Sequence, residues 1–179
     1  MILTGERIKR AITTGEILIS PFTKEQLNPN SYNLRLDPTL LVYTEVDLDA
    51  KDDNRYKEVT IPEKGLVLEP GELYLGSTYE YTETHSYIPK IDGRSSMGRL
   101  GVFVHITAGF GDVGFRGHWT LEIACIKPVR IYPMMEICQI SYHMILGPIT
   151  QRYDGRYQNN DGVQPSRLHL PDPPTSQEQ

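Results

Sequence analysis

Apolar residues recur at helical spacing with the right punctuation at one place, the start of the chain. Ile8, Ala11 and Ile12 share one face there, Thr4 is an N-cap residue, Glu6 lies in the first turn and Gly15 ends the run, which predicts a short helix through Thr13. Elsewhere the pattern is one of short apolar runs and alternations cut by Gly and Pro, as strands require. Residues 17–22 read as a first strand, and in 31–36 the alternation puts Tyr32, Leu34 and Leu36 on one face. Residues 60–62, 65–68, 73–79 and 81–87 continue the series. Residues 100–106 read as a buried strand, 108–117 as a glycine-rich turn and 118–123 as the returning strand, so Glu122 lies between the apolar neighbours Leu121 and Ile123. Residues 128–142 supply two more short strands around Pro133-Met134-Met135-Glu136. Many short strands with one substantial helix predict a mainly β domain, a barrel or a jelly-roll-like sandwich.

Composition narrows the partners. A chain of 179 residues is long enough for one sizeable core and too short to favour two. Its net charge of -5 argues against a nucleic-acid polymer, whose binding is driven by Lys and Arg. With no apolar run near bilayer length and no basic signal-like start, we expect no membrane association and a cytoplasmic protein. Cys125 and Cys138 stand in apolar surroundings and read as reduced core residues. The mixed charges of 51–55 read as a solvated hairpin loop. The catalytic body is expected over 1–150, a polar arm without a core of its own over 151–169, and a proline-rich disordered tail over 170–179.

The candidate chemistry concentrates between residues 93 and 122. Arg94 and Arg99 can bind phosphate oxygens through paired, charge-assisted hydrogen bonds, and Ser95 and Ser96 add hydroxyls beside them, a set suited to a polyphosphate. Residues 109–114 satisfy G-x-G-x-x-G, but a dinucleotide loop must open a helix, and residues 115–123 are strand-like. No Walker pattern occurs. A zinc deaminase needs His-x-Glu and Pro-Cys-x-x-Cys, which are missing, and the five histidines are scattered singly. If cytosine is deaminated, a protein carboxylate must activate the water, and Glu122 is the candidate, its alternative being a solvent-facing strand glutamate.

Gly-Arg-Ser-Ser-x-x-Arg-Leu-Gly at 93–101, the turn Thr107-Ala108-Gly109-x-x-Asp112-x-Gly114-Phe115-x-Gly117, and Thr120-Leu121-Glu122 resemble the dCTP deaminases of the dUTPase-like superfamily. Residues 31–36 and the arm at 156–162 extend the likeness. The resemblance implies a dUTPase-like distorted β-barrel of the β-clip kind, with Glu122 as general base, Ser95 and Arg99 orienting the water and the developing transition state, and Asp112 at the deoxyribose. It further implies nucleotide contacts at Arg94, Ser96, Met97, Gly98, Ala108, Thr120, Leu121 and Gln139, with Tyr153, Arg156, Tyr157 and Asn160 closing from the arm. Gly109-Phe110 is similar to the small-plus-aromatic pair of bifunctional enzymes, which points to dCTP becoming dUMP with ammonia and diphosphate. The rivals are a deaminase that releases dUTP, a pure dUTPase and a non-catalytic nucleotide sensor. The likeness also implies Mg²⁺ carried by the triphosphate without zinc, a homotrimer with sites at subunit interfaces, and inhibition by dTTP through residues 106–108. The chain departs from the pattern at Asn33, where aspartate is usual, at Gly111 and Val113, and at Arg156 and Asn160. Tyr153 also stands closer to Arg156 than is usual.

Overall fold

The computed structural model describes residues 1–105 and 107–171. Helix α1 (Gly5–Thr13) is capped by Thr4, whose hydroxyl accepts from the Arg7 amide at 3.3 Å, and it buries Ile8 and Ala11. The strands are β1 (Ile17–Ser20), β2 (Tyr32–Arg35), β3 (Thr39–Tyr43), β4 (Tyr56–Thr60), β5 (Leu66–Leu68), β6 (Tyr74–Ser77), β7 (Tyr81–Thr84), β8 (Tyr87–Gly93), β9 (Val102–Val104), β10 (Arg116–Gly117), β11 (Thr120–Cys125), β12 (Val129–Ile131) and β13 (Glu136–Met144). They form sheets ordered β1-β7-β10, β4-β3-β6-β11-β9, β12-β5 and β2-β13-β8. The mainly β expectation holds, and the barrel is an open one: no sheet closes on itself among the described residues.

One apolar core joins these sheets, with Ile8, Tyr32, Leu34, Leu36, Leu121, Ile123, Ile137, Ile140 and Tyr142 inaccessible to solvent. The alternation predicted for 31–36 is therefore real. Its polar neighbour Asn33 is buried as well, because β2 is covered on both faces. Arg35 leaves the same strand to meet Glu80, whose carboxylate is wholly buried and accepts from the Arg35 Nε, the Arg35 amide and Gln26 Nε2 at 2.6, 2.7 and 2.9 Å. Three donors satisfy that charge, which is the condition for keeping it inside.

Several element boundaries differ from expectation. The first strand stops at Ser20, and 60–62 is the end of β4 followed by a turn. The 81–87 run divides into β7 and β8. The 100–106 strand narrows to β9, in which Phe103 faces outward while Val102 and Val104 are buried; Ile106 lies outside the described residues. The Arg-Ser-Ser segment, which carries no apolar periodicity, forms a second short helix, α2 (Ser95–Arg99), anchored by the buried Met97. Residues 51–55 lie in the β3–β4 loop and are exposed apart from half-buried Asn54. Beyond Pro171, the predicted tail falls outside the described residues.

Candidate active site

Strand register builds the first half of the site. In the β9–β11 pair Val104 stands opposite Ile123, so the next residues, His105 and Glu122, are neighbours as well. The His105 amide donates to the Glu122 main-chain oxygen at 2.9 Å, and the side chains meet with Nδ1 at 2.6 Å from Oε2. His105 holds a left-handed backbone, φ 55°, uncommon for any residue other than glycine. Its ring is 6 % exposed against 37 % for the Glu122 side chain and rests edge-on against Trp119, with centroids 6.3 Å apart. Facing a carboxylate, Nδ1 carries the proton and donates; Nε2 is left buried with no hydrogen-bond partner among the described residues. The imidazole is thus committed to one task, fixing the carboxylate.

Glu122 opens onto a cleft of about 440 Å³, whose lining includes Ala108, Phe110, Asp112, Phe115, His118, Trp119, Thr120, Tyr153, Tyr157 and Asn160. Its walls are mostly apolar, with two carboxylates and two histidines. No lysine or arginine is among the lining residues, an arrangement hostile to a triphosphate unless cations arrive from elsewhere.

The arm forms one side of the cleft and is docked. Tyr153 packs on Phe115, which in turn packs on Trp119, at centroid distances of 5.9 and 4.3 Å. The Tyr153 amide donates to Val113 O and Gln158 Nε2 to Gly114 O, both at 2.8 Å. Burial pushes the Tyr153 phenol up, so it stays neutral, and its hydroxyl accepts from the Tyr157 amide at 3.2 Å. Asn160 is 6 % exposed and its amide donates to His118 O at 2.8 Å, while Gln164 N donates to the Thr120 hydroxyl at 3.0 Å. Gly117 is needed for this docking: a Cβ there would lie 2.6 Å from the Asn160 nitrogen. The Arg167 guanidinium donates to Arg156 O at 2.7 Å and its amide to the Tyr157 hydroxyl at 3.0 Å, so the end of the arm folds back on itself.

Of the remaining predicted residues Arg156 sits in the arm outside the cleft lining, and the others form a second cluster on and beside the second helix and β13. Ser95, Ser96, Gly98 and Arg99 lie exposed along α2, with Met97 buried beneath them. Arg94 is paired to Glu136 at 2.9 Å. Gln139 accepts at 2.8 Å from the Oγ of Ser31, the residue just ahead of β2. None of these lines the cleft. Leu121 is fully buried, which leaves only its main chain to reach a ligand. Next to the cleft, Gly109 is pressed against β8: its oxygen accepts from Ile91 N at 2.7 Å, and a Cβ would lie 2.3 Å from Ile91 O. That contact sends Phe110 outward, 67 % exposed at the mouth.

Sequence reasoning missed His105, counted as one of five scattered histidines, and the cleft residues His118, Trp119 and Gln164. A signal for His105 existed in the predicted strand pair 100–106 and 118–123. Fixing Val104 opposite Ile123 brings His105 to Glu122.

The fold is a mainly β one that presents a strand carboxylate in a mostly apolar cleft bordered by a docked arm. The chain belongs to the dCTP deaminase-like family, whose profile matches residues 2–145. It is 60 % identical over 168 residues to a "dCTP deaminase, dUMP-forming" of Hathewaya histolytica, covering 94 % of this chain and 97 % of that one. A protein of the same name from Clostridium acetobutylicum is 58 % identical over 169 residues with the same coverage. Among solved structures, the 2'-deoxycytidine 5'-triphosphate deaminase of Agrobacterium tumefaciens superposes with a TM-score of 0.63 at 21 % identity over 80 % of this chain, which spans about half, 48 %, of that one. The last likeness is one of fold.

Proposed function

We propose that this protein converts dCTP and two waters to dUMP, diphosphate and ammonia. The observation that carries the reading is the Glu122 carboxylate, presented on the cleft wall and held at 2.6 Å by a buried imidazole. Glu122 takes a proton from water as the water adds to C4 of cytosine and passes it to N3, then takes the proton of the new C4 hydroxyl and gives it to the departing amine, so that ammonia leaves and uracil remains. Asp112, exposed in the same cleft, lies at the deoxyribose and serves the second water, which displaces diphosphate at the α-phosphorus. Gly109 and Phe110 belong to this second step through the shape of the turn that carries Asp112. Names borne by relatives nearly 60 % identical over almost their whole length support both steps.

The site is completed in this reading by a neighbouring copy in a homotrimer, which brings Arg94, Ser95, Ser96 and Arg99 to the phosphates. Two features support it: the absence of lining cations, and the exposure of Leu100, Phe103, Phe110 and Ile126, apolar side chains of the kind subunit contacts cover. Tyr153, Arg156, Tyr157 and Asn160 belong to the arm that closes the site. Mg²⁺ enters with the triphosphate, neutralising charge on its oxygens. Among the described residues no three His, Cys, Asp or Glu side chains converge. In this reading dTTP is an allosteric feedback inhibitor that acts through residues 106–108. Among the described residues no helix is long and apolar enough to cross a membrane.

The test is product identification after incubating the purified protein with Mg²⁺ and dCTP. The expected products are dUMP, diphosphate and ammonia, and Glu122→Gln abolishes ammonia release while nucleotide binding persists. Accumulation of dUTP as the sole nucleotide product would refute the bifunctional reading.

A further inference from the structure

One carboxylate with no part in the proposed reaction is turned toward the nucleotide cluster by an irregularity of β13. In a regular strand, residues three apart face opposite sides. Glu136 and Gln139 escape that rule because Glu136 pairs with Arg35 and Cys138 with Leu34, two residues of β13 set against one of β2. Ile137 and Cys138 are buried in succession, and the bulge re-aims Glu136 onto the face of Gln139. On that face Gln139 bonds Ser31 and Glu136 bonds Asn33, alternate residues flanking one turn of the β2 pleat.

There Glu136 Oε2 accepts from Asn33 Nδ2 at 2.8 Å and forms an ion pair with Arg94 Nη1, 2.9 Å away, while Nη1 donates to the Glu136 main-chain oxygen at 3.0 Å. The side chain of residue 33 is fixed from behind, its Oδ1 accepting from Asn28 Nδ2 at 2.7 Å. An aspartate at this position would set a second carboxylate against Glu136 at hydrogen-bond distance, and the two would compete for one proton. Asn33 avoids that conflict and donates instead. The carboxylate is left to serve a single cation. Both Arg94 contacts use Nη1, the side chain is 33 % exposed, and no hydrogen bond among the described residues uses Nε or Nη2.

We propose that Glu136 is a positioning residue for nucleotide binding: with Asn33 behind it, it clamps one nitrogen of Arg94 and presents the remaining guanidinium edge to the triphosphate. This rests on the proposed role of Arg94 as a nucleotide-binding residue. A pair about one-third exposed contributes little to stability. Its effect is orientation, which bidentate phosphate binding demands.

The experiment measures KM and kcat for dCTP with Mg²⁺ in Glu136→Met, Glu136→Gln, Arg94→Gln and the double variant Arg94→Gln/Glu136→Met. Glu136→Met is expected to raise KM about tenfold with kcat within about twofold of the parent, the pattern of lost substrate binding. Glu136→Gln, which keeps an oxygen, falls between. The double variant is expected to be no worse than Arg94→Gln alone, because residue 136 acts through residue 94. An unchanged KM in Glu136→Met, or multiplying losses in the double variant, would overturn the proposal while leaving Arg94 in place. If Glu136→Met does not fold, a parental KM in Glu136→Gln overturns it equally. An unchanged KM in Arg94→Gln would remove Arg94 from the site and the proposal with it, whereas dUMP formation is decided separately by the product assay.

Discussion

Replacing His105 by Asn tests whether the hydrogen bond to Glu122 governs the rate. Asparagine tolerates the left-handed backbone of this position, φ 55°, better than other residues with a side chain, so the change leaves the turn intact. Its amide is too short to repeat an imidazole contact of 2.6 Å. A hydrogen bond to a charged group contributes about 1.5–3 kcal/mol, and if it is lost where Glu122 must take and return protons, kcat falls about 10- to 150-fold. KM changes little, because the ring is almost wholly buried and offers little surface to a substrate. Losing the ring beside Trp119 also costs about 1–2 kcal/mol of stability, so rates are compared well below the melting transition. The assay is steady-state ammonia release from dCTP, with dUMP quantified in parallel. A kcat within about twofold of the parent would refute the reasoning and reduce His105 to a packing residue.

Three further outcomes rest on other contacts. Glu16 lies well below its ordinary value of 4.5, at about 2, held there first by its hydrogen bonds with Arg7 and then by the Thr14 hydroxyl. A depressed carboxylate stabilises the fold above its unfolded value and loses that contribution as pH falls. Melting temperature should therefore drop between pH 4.5 and 2, by an amount worth about 1 kcal/mol after allowing for solvent screening of a side chain 31 % exposed, and Glu16→Gln should remove that part of the profile. Glu80→Ala strands Arg35 and Gln26 in the interior and is expected to cost about 3–5 kcal/mol in urea denaturation, a loss below 1 kcal/mol counting against the buried pair. Gly117→Val places a side chain where Asn160 now sits and should release the arm, seen as faster proteolysis after Arg152 or Arg156 and slower dUMP formation.

What the chain discloses of its fold depends on how local each cause is. Helix α1 was legible because capping, periodicity and a terminating glycine sit within one stretch, and β11 because Leu121, Ile123 and Cys125 alternate with more polar neighbours. The bulge in β13 was not. Ile137-Cys138 looks like an ordinary pair in an apolar run, and only the register against β2 shows that both turn inward and carry Glu136 to the other face. Helix α2 escaped for a related reason: of its five residues only Met97 is buried, too few for a periodic signal.

The site divides along the same line. Motif similarity picks out residue types and spacing, so Glu122, Asp112 and the Arg-Ser-Ser segment could be found in the sequence, yet it is silent on which of them share a cavity. The fold gathers Ala108, Asp112, Thr120, Glu122, Tyr153, Tyr157 and Asn160 at one cleft and leaves Arg94, Ser95, Ser96, Arg99 and Gln139 outside it. A cleft that must take a triphosphate but offers two carboxylates and no arginine has an electrostatic deficit, while the second cluster carries two exposed or half-exposed arginines beside hydroxyls. Opposite needs that no single cleft of the chain brings together are met most economically when two copies meet, each lending its cations to the other's carboxylates. On this view a dilution series has a definite signature. Specific activity should fall as the subunits part, and mixing an inactive Glu122→Gln chain with an inactive Arg99→Gln chain should restore part of it, since a shared site can pair one intact half from each; failure of the mixture to recover any activity after exchange would place all the catalytic groups within one chain.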